Sequence, residues 1–225
     1  MNPIRVLLIG AKGRMGRTIV DLAKRESGID IAAECDLGDA IAPSMKDADV
    51  AIDFSQPGAA EEICRAAEEH CKPLVIGTTG HSPAQRELIE ETTCAVPIVF
   101  ASNFSVGVNA LFALTWNAAE ALRDFDVSIV ETHHKMKKDA PSGTAKTLAE
   151  VVKSARKIDN VAIESVREGE VVGEHTVIFN GPGERLELTH RAATREIFAR
   201  GALRAAQWVI GKPPRLYSMK DVLGV

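Results

Sequence analysis

The first apolar run along the chain, IRVLLIG at residues 4–10, ends in glycine and has the form of a central parallel strand covered on both faces. A helical stretch, RTIVDLAKRES (17–27), leads to a second strand, IDIAAECD (29–36). The rhythm continues with DADVAIDFS (47–55) as strand, PGAAEEICRAAEEH (57–70) as a helix opened by Pro57, and KPLVIGTTG (72–80) as strand and turn. SPAQRELIEETT (82–93) then reads as a helix with Pro83 near its start, and VPIVFAS (96–102) as a strand. This repeated alternation calls for α/β architecture with a doubly wound parallel sheet.

After Ser102 the pattern changes. VNALFALTWNAAEAL (108–122) predicts an amphipathic helix, FDVSIVETHH (125–134) a strand and SGTAKTLAEVVKSA (142–155) a helix. VAIESV (161–166), GEHTVIF (173–179) and ERLELTH (184–190) follow one another with short turns such as NGPGE, as antiparallel strands do. The expectation is a first domain over residues 1–102 and a second, α+β domain with an antiparallel-rich sheet over 103–195. The segment 196–225, a helix REIFARGALRAAQWVI and a short tail, is too small to stand alone and is expected to return to the first domain.

At 225 residues the chain is long enough for one large domain or two small ones. With 45% hydrophobic and 26% charged residues its composition is that of a globular protein. A net charge of −4 argues against general nucleic-acid binding, which needs a basic surface. Cys35, Cys64, Cys71 and Cys94 lack Cys-x-x-Cys spacing and are expected to be reduced thiols. No secretory leader and no apolar run of about 20 residues is visible, so the expectation is a cytoplasmic protein without membrane contact.

The turn after the first strand, GAKGRMGR, places Gly10, Gly13 and Gly16 in a G-x-x-G-x-x-G pattern. Such glycines permit a tight turn, close backbone approach to a pyrophosphate and close helix-to-strand packing, and the helix N-terminus offers unpaired N–H groups to an anion. A plain tight turn satisfies the same pattern. Asp36, at the end of the second strand, stands where a dinucleotide fold places the carboxylate that bonds the adenosine ribose. Glu34 is its nearest rival, and a strand-end surface acid is the other account. The turns GTTG (77–80) and ASNFSVGVN (101–109) lie at strand ends of the same sheet, where ligands of open α/β sheets bind.

The stretch ETHHKMKKDAPSGT (131–144) concentrates titratable chemistry. His133 and Lys137 are four apart and fall on one side of either an extended or a helical backbone. Histidine titrates near neutrality and a lysine among cations has its pKa pressed downward, which suits a proton-donor pair. Pro141 prepares a helix start, and Gly143 and Thr144 would present N–H groups and a hydroxyl to a carboxylate or phosphate. A solvated charged loop remains the alternative. A metal is not expected, since the histidines are adjacent rather than i, i+4 and no acidic or cysteine cluster stands nearby in sequence.

The run ETHHKMKKDAPSGTA closely resembles the signature of the 4-hydroxy-tetrahydrodipicolinate (dihydrodipicolinate) reductase family. GAKGRMGR, DFSQP, VIGTTG, FASNFSVGVN, VGEHTVIF, GERLELTH and MKDVL resemble the family's other blocks, in order, over almost the whole chain. The resemblance implies a Rossmann-type dinucleotide-binding domain, a substrate-binding and oligomerisation domain, and a homotetramer. The implied reaction reduces a small cyclic dicarboxylate, 4-hydroxy-tetrahydrodipicolinate, with NADH or NADPH in diaminopimelate and lysine biosynthesis. Carried over by position, His133 is the acid/base, Lys137 the proton donor, and His134, Gly143 and Thr144 hold the substrate carboxylates. Gly10, Ala11, Lys12, Gly13, Arg14, Met15, Asp36, Gly77, Thr78, Thr79, Ala101, Ser102, Asn103 and Phe104 line the cofactor.

The chain departs from the pattern in two places. The segment from Leu37 to Asp47 is short, with Leu37 where some members carry an arginine suited to a 2′-phosphate, and Met136 replaces a histidine found in some members. Competing readings are another two-domain dehydrogenase acting on aspartate or homoserine, which the HHKMKKDAPSGTA block opposes, and a catalytically silent NAD-binding sensor, which has no need of His133 and Lys137.

Overall fold

In β1 (Ile4–Ile9), Val6 and Leu8 pack into one apolar layer and Leu7 and Ile9 into another, all of them buried. Burial on both faces is why this strand reads as an apolar run rather than an alternating one. The computed structural model describes Asn2–Gly224 and divides into two units, one running to Phe104 and resuming over Glu196–Gly224, the other formed by Ser105–Arg195.

The first unit continues with α1 (Arg14–Ala23), β2 (Ile29–Cys35), α2 (Ile41–Lys46), β3 (Val50–Asp53), α3 (Ala60–His70), β4 (Leu74–Ile76), α4 (Pro83–Thr92) and β5 (Ile98–Phe100). Its strands, joined late by a two-residue β10 (Leu216–Tyr217), form a six-stranded parallel sheet in the order β10-β5-β4-β3-β1-β2. Ile19 and Leu22 of α1 cover the Val6 and Leu8 face together with α7 (Glu196–Val209) and α8 (Met219–Leu223). Ile41 and Met45 of α2, Ile63 of α3 and Ile89 of α4 cover the opposite face. The sheet is therefore doubly wound, of Rossmann type.

Two elements escape the sequence pattern. The helix α2 is six residues long with Pro43 inside it, too short to show a period. Pro43 sits in the first turn, where a missing N–H breaks no bond, and Ile41 and Met45, one turn apart, anchor the helix. The strand β10 is a two-residue extension beside β5, below any pattern's resolution. In addition, α1 starts at Arg14, ahead of the expected Arg17, because Gly13 serves as an extended N-cap. By contrast, α4 carries the expected start: Pro83 follows Ser82, whose side chain and Gln85 form a reciprocal capping box.

The second unit comprises α5 (Val106–Ala121), β6 (Asp126–His133), α6 (Gly143–Arg156), β7 (Ala162–Arg167), β8 (Gly173–Gly181) and β9 (Glu184–Ala192). Its sheet order is β7-β6-β8-β9. Here the expectation of successive antiparallel strands needs correction: β7 pairs parallel with β6, while β8 is antiparallel to both β6 and β9. The helix α6 is a crossover, and a β–α–β connection returns its second strand parallel to the first. Phe112, Leu148, Val152, Ile129, Val177 and Phe179 form the core between helices and sheet. Among the described residues no helix is long and apolar enough to cross a membrane.

Candidate active site

Strand order reverses between β1 and β3, and in open α/β sheets ligands bind in the crevice at that point. The chain leaves β1 through Gly10, whose φ of +84° favours glycine and whose Cβ, if present, would lie 2.5 Å from the carbonyl oxygen of Phe54 just after β3. Gly16 is likewise pressed against the turn, since a Cβ there would stand 2.5 Å from the Ala11 oxygen. Gly13, exposed at the N-cap of α1, leaves the helix N-terminus open. Gly10 thus makes the tight turn and Gly16 the close packing that the glycine pattern calls for.

Beside the loop lies a cavity of about 380 Å³ lined by Gly10, Gly13, Asp36, Phe54, Ser55 and Glu62 among others. Asp36 Oδ2 accepts a hydrogen bond from Lys12 N at 2.8 Å and Oδ1 one from Leu37 N at 2.9 Å. Those bonds, from Leu37 and then Lys12, hold its carboxyl below the ordinary range. Glu34 is exposed and does not line the cavity. A glycine cradle, an open helix N-terminus and an ionised strand-end carboxylate fit a dinucleotide.

The remaining expected cofactor residues are more scattered. Arg14 and Lys12 are exposed, Ala11 is buried, and Met15 packs against the core. Gly77 lies under the Phe54 ring, which a Cβ would overlap. Thr78 is buried and Thr79 exposed. Ala101 and Asn103 are partly exposed and Ser102 fully so, whereas Phe104 turns its ring into the core, 5.7 Å from that of Phe54. Asp53, at the end of β3 beside this turn, has no counterpart among the expected residues. Burial pushes its carboxyl up against the hydrogen bonds it accepts from Ser55.

In the second unit, strand alternation puts Glu131 and His133 on one face of β6. Cross-strand pairing adds Ser165 of β7 and His175 of β8 beside Glu131, and Arg167 of β7 beside His133. Glu131 is fully buried, with Oε2 against His133 Nδ1 and Oε1 accepting from Arg167 Nη2 at 2.8 Å. Burial alone would raise Glu131, but the hydrogen bond from Arg167, with the Ser165 hydroxyl and His133 close by, holds it below the ordinary range. For His133, burial lowers the pKa, Glu131 opposes that, and Lys137 and Arg167 lower it further. Burial, followed by His133, drives His175 to about 4; its Nε2 lies 3.1 Å from Ser142 Oγ.

The chain then turns. Lys137 N donates to the His134 carbonyl at 3.0 Å, and His134 N to Val171 O at 2.8 Å. Lys137 Nζ bonds Asp139 Oδ1 at 2.8 Å, and Arg167 Nη2 donates to the Asp139 carbonyl at 2.6 Å. Ser142 caps α6 by accepting from Ala145 N at 3.2 Å. Gly143, the first residue of α6, is exposed, and a Cβ there would meet nothing within 4 Å. The helix start is thus open to an anion; Thr144, next to it, and His134, just after β6, are half-buried.

Sequence reasoning gave no role to Glu131, Arg167, His175 or Ser142. Glu131 had a signal, its i, i+2 relation to His133 in a strand; Arg167 and His175 arrive only through register. The expectation that no acidic or cysteine cluster stands near the histidines in sequence leaves out what the fold adds in space. Ligand atoms of Glu131, His133 and His175 lie within 4.8 Å of one another. The Arg167 guanidinium on Glu131 sets a fixed cation against that cluster.

Comparison with known proteins follows the same two-part division. The family models described as dihydrodipicolinate reductase, N-terminus, and dihydrodipicolinate reductase, C-terminus, match residues 4–104 and 107–223. The chain is 44% identical to the 4-hydroxy-tetrahydrodipicolinate reductase of Akkermansia muciniphila over 99% of its own length and 98% of that protein's. It is 43% identical to the enzyme of that name from Methanoculleus marisnigri, over 99% and 100%. Among solved structures, the dipicolinate-bound dihydrodipicolinate reductase from Paenisporosarcina sp. TG-14 shares the fold, with a TM-score of 0.79, 22% identity, and 96% and 97% of the two chains covered. The chain belongs to the dihydrodipicolinate reductase family.

Proposed function

We propose that this oxidoreductase reduces 4-hydroxy-tetrahydrodipicolinate to tetrahydrodipicolinate with loss of water, using NADH or NADPH, in diaminopimelate and lysine biosynthesis. The observation that carries the reading is the grouping of His133, at the end of β6, with a lysine-rich turn and the open N-terminus of α6. That is a cationic, hydrogen-bond-donating environment suited to a dicarboxylate.

The reduced nicotinamide, when bound, supplies the hydride. The first unit's residues hold and orient it: Gly10 to Met15 at the pyrophosphate, Asp36 at the adenosine ribose, Gly77 to Thr79 and Ala101 to Phe104 along the strand ends. In the second unit, His134, Gly143 and Thr144 bind the carboxylates. Electron density that develops on the substrate as hydride arrives must be met by a proton; Lys137 donates it, and His133 serves as the acid/base that balances the transfer. Lys137 is kept in place by Asp139.

The working form is a cytoplasmic homotetramer assembled through the second unit's sheet. In support, β9 is a nine-residue edge strand with most positions exposed, a surface that a partner strand would cover. Light scattering at micromolar concentration should return the tetramer mass; a monomer contradicts this part. The reaction itself is tested by a coupled assay in which dihydrodipicolinate synthase supplies substrate from pyruvate and aspartate semialdehyde while reduced cofactor is followed by absorbance. Absence of oxidation with either cofactor refutes the reading.

A further inference from the structure

We infer that Glu131 is a positioning residue for His133, fixing its imidazole with the proton on Nδ1 so that Nε2 is left to exchange protons with the substrate. The inference rests on the proposed role of His133. Glu131 is wholly buried, and the carboxylate is an acceptor only, so the nitrogen facing it must carry hydrogen. The carboxylate is itself held from the other side: Oε1 accepts from Arg167 Nη2 at 2.8 Å and from Ser142 N at 3.4 Å. A buried anion with fixed donors cannot rotate away, and the imidazole plane is set by it.

The opposite nitrogen faces a residue with no side chain. Gly173, the first residue of β8, is the neighbour of Nε2, and a Cβ there would lie 3.1 Å from Nε2 and 3.5 Å from Cδ2. Any side chain at position 173 would thus crowd the atom that the proton transfer requires. The same carboxylate reaches the second proton-handling group, because Arg167 Nη2 bonds both Glu131 and the carbonyl of Asp139, whose carboxylate holds Lys137 Nζ. Glu131 therefore sets the tautomer of His133 directly and the position of Lys137 through one guanidinium.

The groups facing His133 predict how its titration responds. Lys137, Arg167 and the edge-on His175 ring, 5.1 Å away between centroids, stand on the cationic or neutral side, and Glu131 and the more distant Asp139 on the anionic side. With Glu131 neutralised, nothing of comparable proximity stabilises the imidazolium. Glu131→Gln keeps the shape, but its amide can present N–H to Nδ1 and drive the proton to Nε2.

In the full-length enzyme, Glu131→Gln should lower kcat roughly 10²-fold or more, as a wrong tautomer does in other histidine-dependent enzymes. The substrate KM should stay within about threefold, NADH binding should be unchanged, and the limb of the kcat–pH profile belonging to His133 should move to lower pH. Glu131→Asp should recover part of the loss. A kcat within about twofold of the parent with an unmoved limb overturns the inference. Should Glu131→Gln fail to fold, ¹⁵N-histidine NMR of the unaltered enzyme decides: an Nδ1–H tautomer at His133 supports the inference and an Nε2–H tautomer overturns it. His133→Ala separates the two levels, since normal turnover there removes the role of His133 itself, whereas impaired turnover there with normal Glu131→Gln removes only that of Glu131.

Discussion

Gly201, on the inner face of α7, stands directly against the backbone of Phe104: a Cβ on Gly201 would overlap the Phe104 carbonyl oxygen and lie 2.7 Å from its carbonyl carbon. The helix that returns from the end of the chain is thereby seated on the turn that follows β5. Helix propensity favours Gly201→Ala by about 1 kcal/mol, but the obstacle is backbone rather than a flexible side chain, and overpacking costs about 1–3 kcal/mol. The net is a loss of up to about 2 kcal/mol, read as a lowered denaturation midpoint; a raised midpoint would show that the turn yields.

His133→Ala and Lys137→Ala should each lower kcat by roughly 10²–10⁴ while leaving NADH binding nearly intact. The groups are joined through Glu131, Arg167 and Asp139, so the double variant should lose less than the product of the single losses. His134→Ala should act mainly on substrate KM. Steady-state kinetics and fluorescence titration on the four variants check this, and near-normal kcat in either single variant removes that residue from the chemistry.

Gly143→Val should raise the substrate KM far more than the cofactor KM. The space around the Gly143 Cβ position is open, so the valine fits without disturbing the fold yet shields the N–H groups at the start of α6. Equal losses of both affinities would point instead to general damage.

NADH should be used at least as well as NADPH. Asp36, Asp39 and Glu62 line one cavity that has no lysine or arginine in its lining, and Leu37 supplies no charge. A 2′-phosphate would meet carboxylates there. Lys12, whose backbone bonds Asp36, is the nearest source of compensation. The ratio of kcat/KM for the two cofactors measures this, and a strong NADPH preference contradicts it; Asp36→Ala should shift the ratio toward NADPH.

Acid should weaken the fold through His175. Its pKa falls from 6.5 to about 4 on folding, chiefly by burial, so between those pH values the unfolded chain binds a proton that the folded one does not. Stability then rises with pH across that window, by about 3 kcal/mol for this group alone. His133 and His190 are shifted in the same direction. The stability difference between the parent and His175→Gln should change in the parent's favour as pH rises from 4 to 6.5; a difference constant with pH refutes the assignment.

Features that depend on neighbours along the chain are legible in residue order. Apolar runs buried on two faces mark β1, β3 and β4; the glycine spacing at 10, 13 and 16 reports steric demands of a single turn; Ser82, Pro83 and Gln85 specify a helix start locally. The ETHHKMKKDAPSGT block stands out as the candidate reactive loop because its titratable residues lie within a few positions of one another. Other features arise from contacts between distant parts of the chain. A six-residue α2 and a two-residue β10 carry too little period to be read, and are stabilised by burial of Ile41 and Met45 and by the edge of β5. The parallel pairing of β7 follows from the crossover through α6, since strand direction in a sheet depends on the connection rather than on the strand's own residues. Glu131 acquires its partners in the same way: Arg167 and His175 are distant in sequence, and only the register of three strands sets a guanidinium and two imidazoles around one buried carboxylate. Hydrogen bonds and charge act over a few ångströms of space, and sequence order does not encode that distance across a sheet.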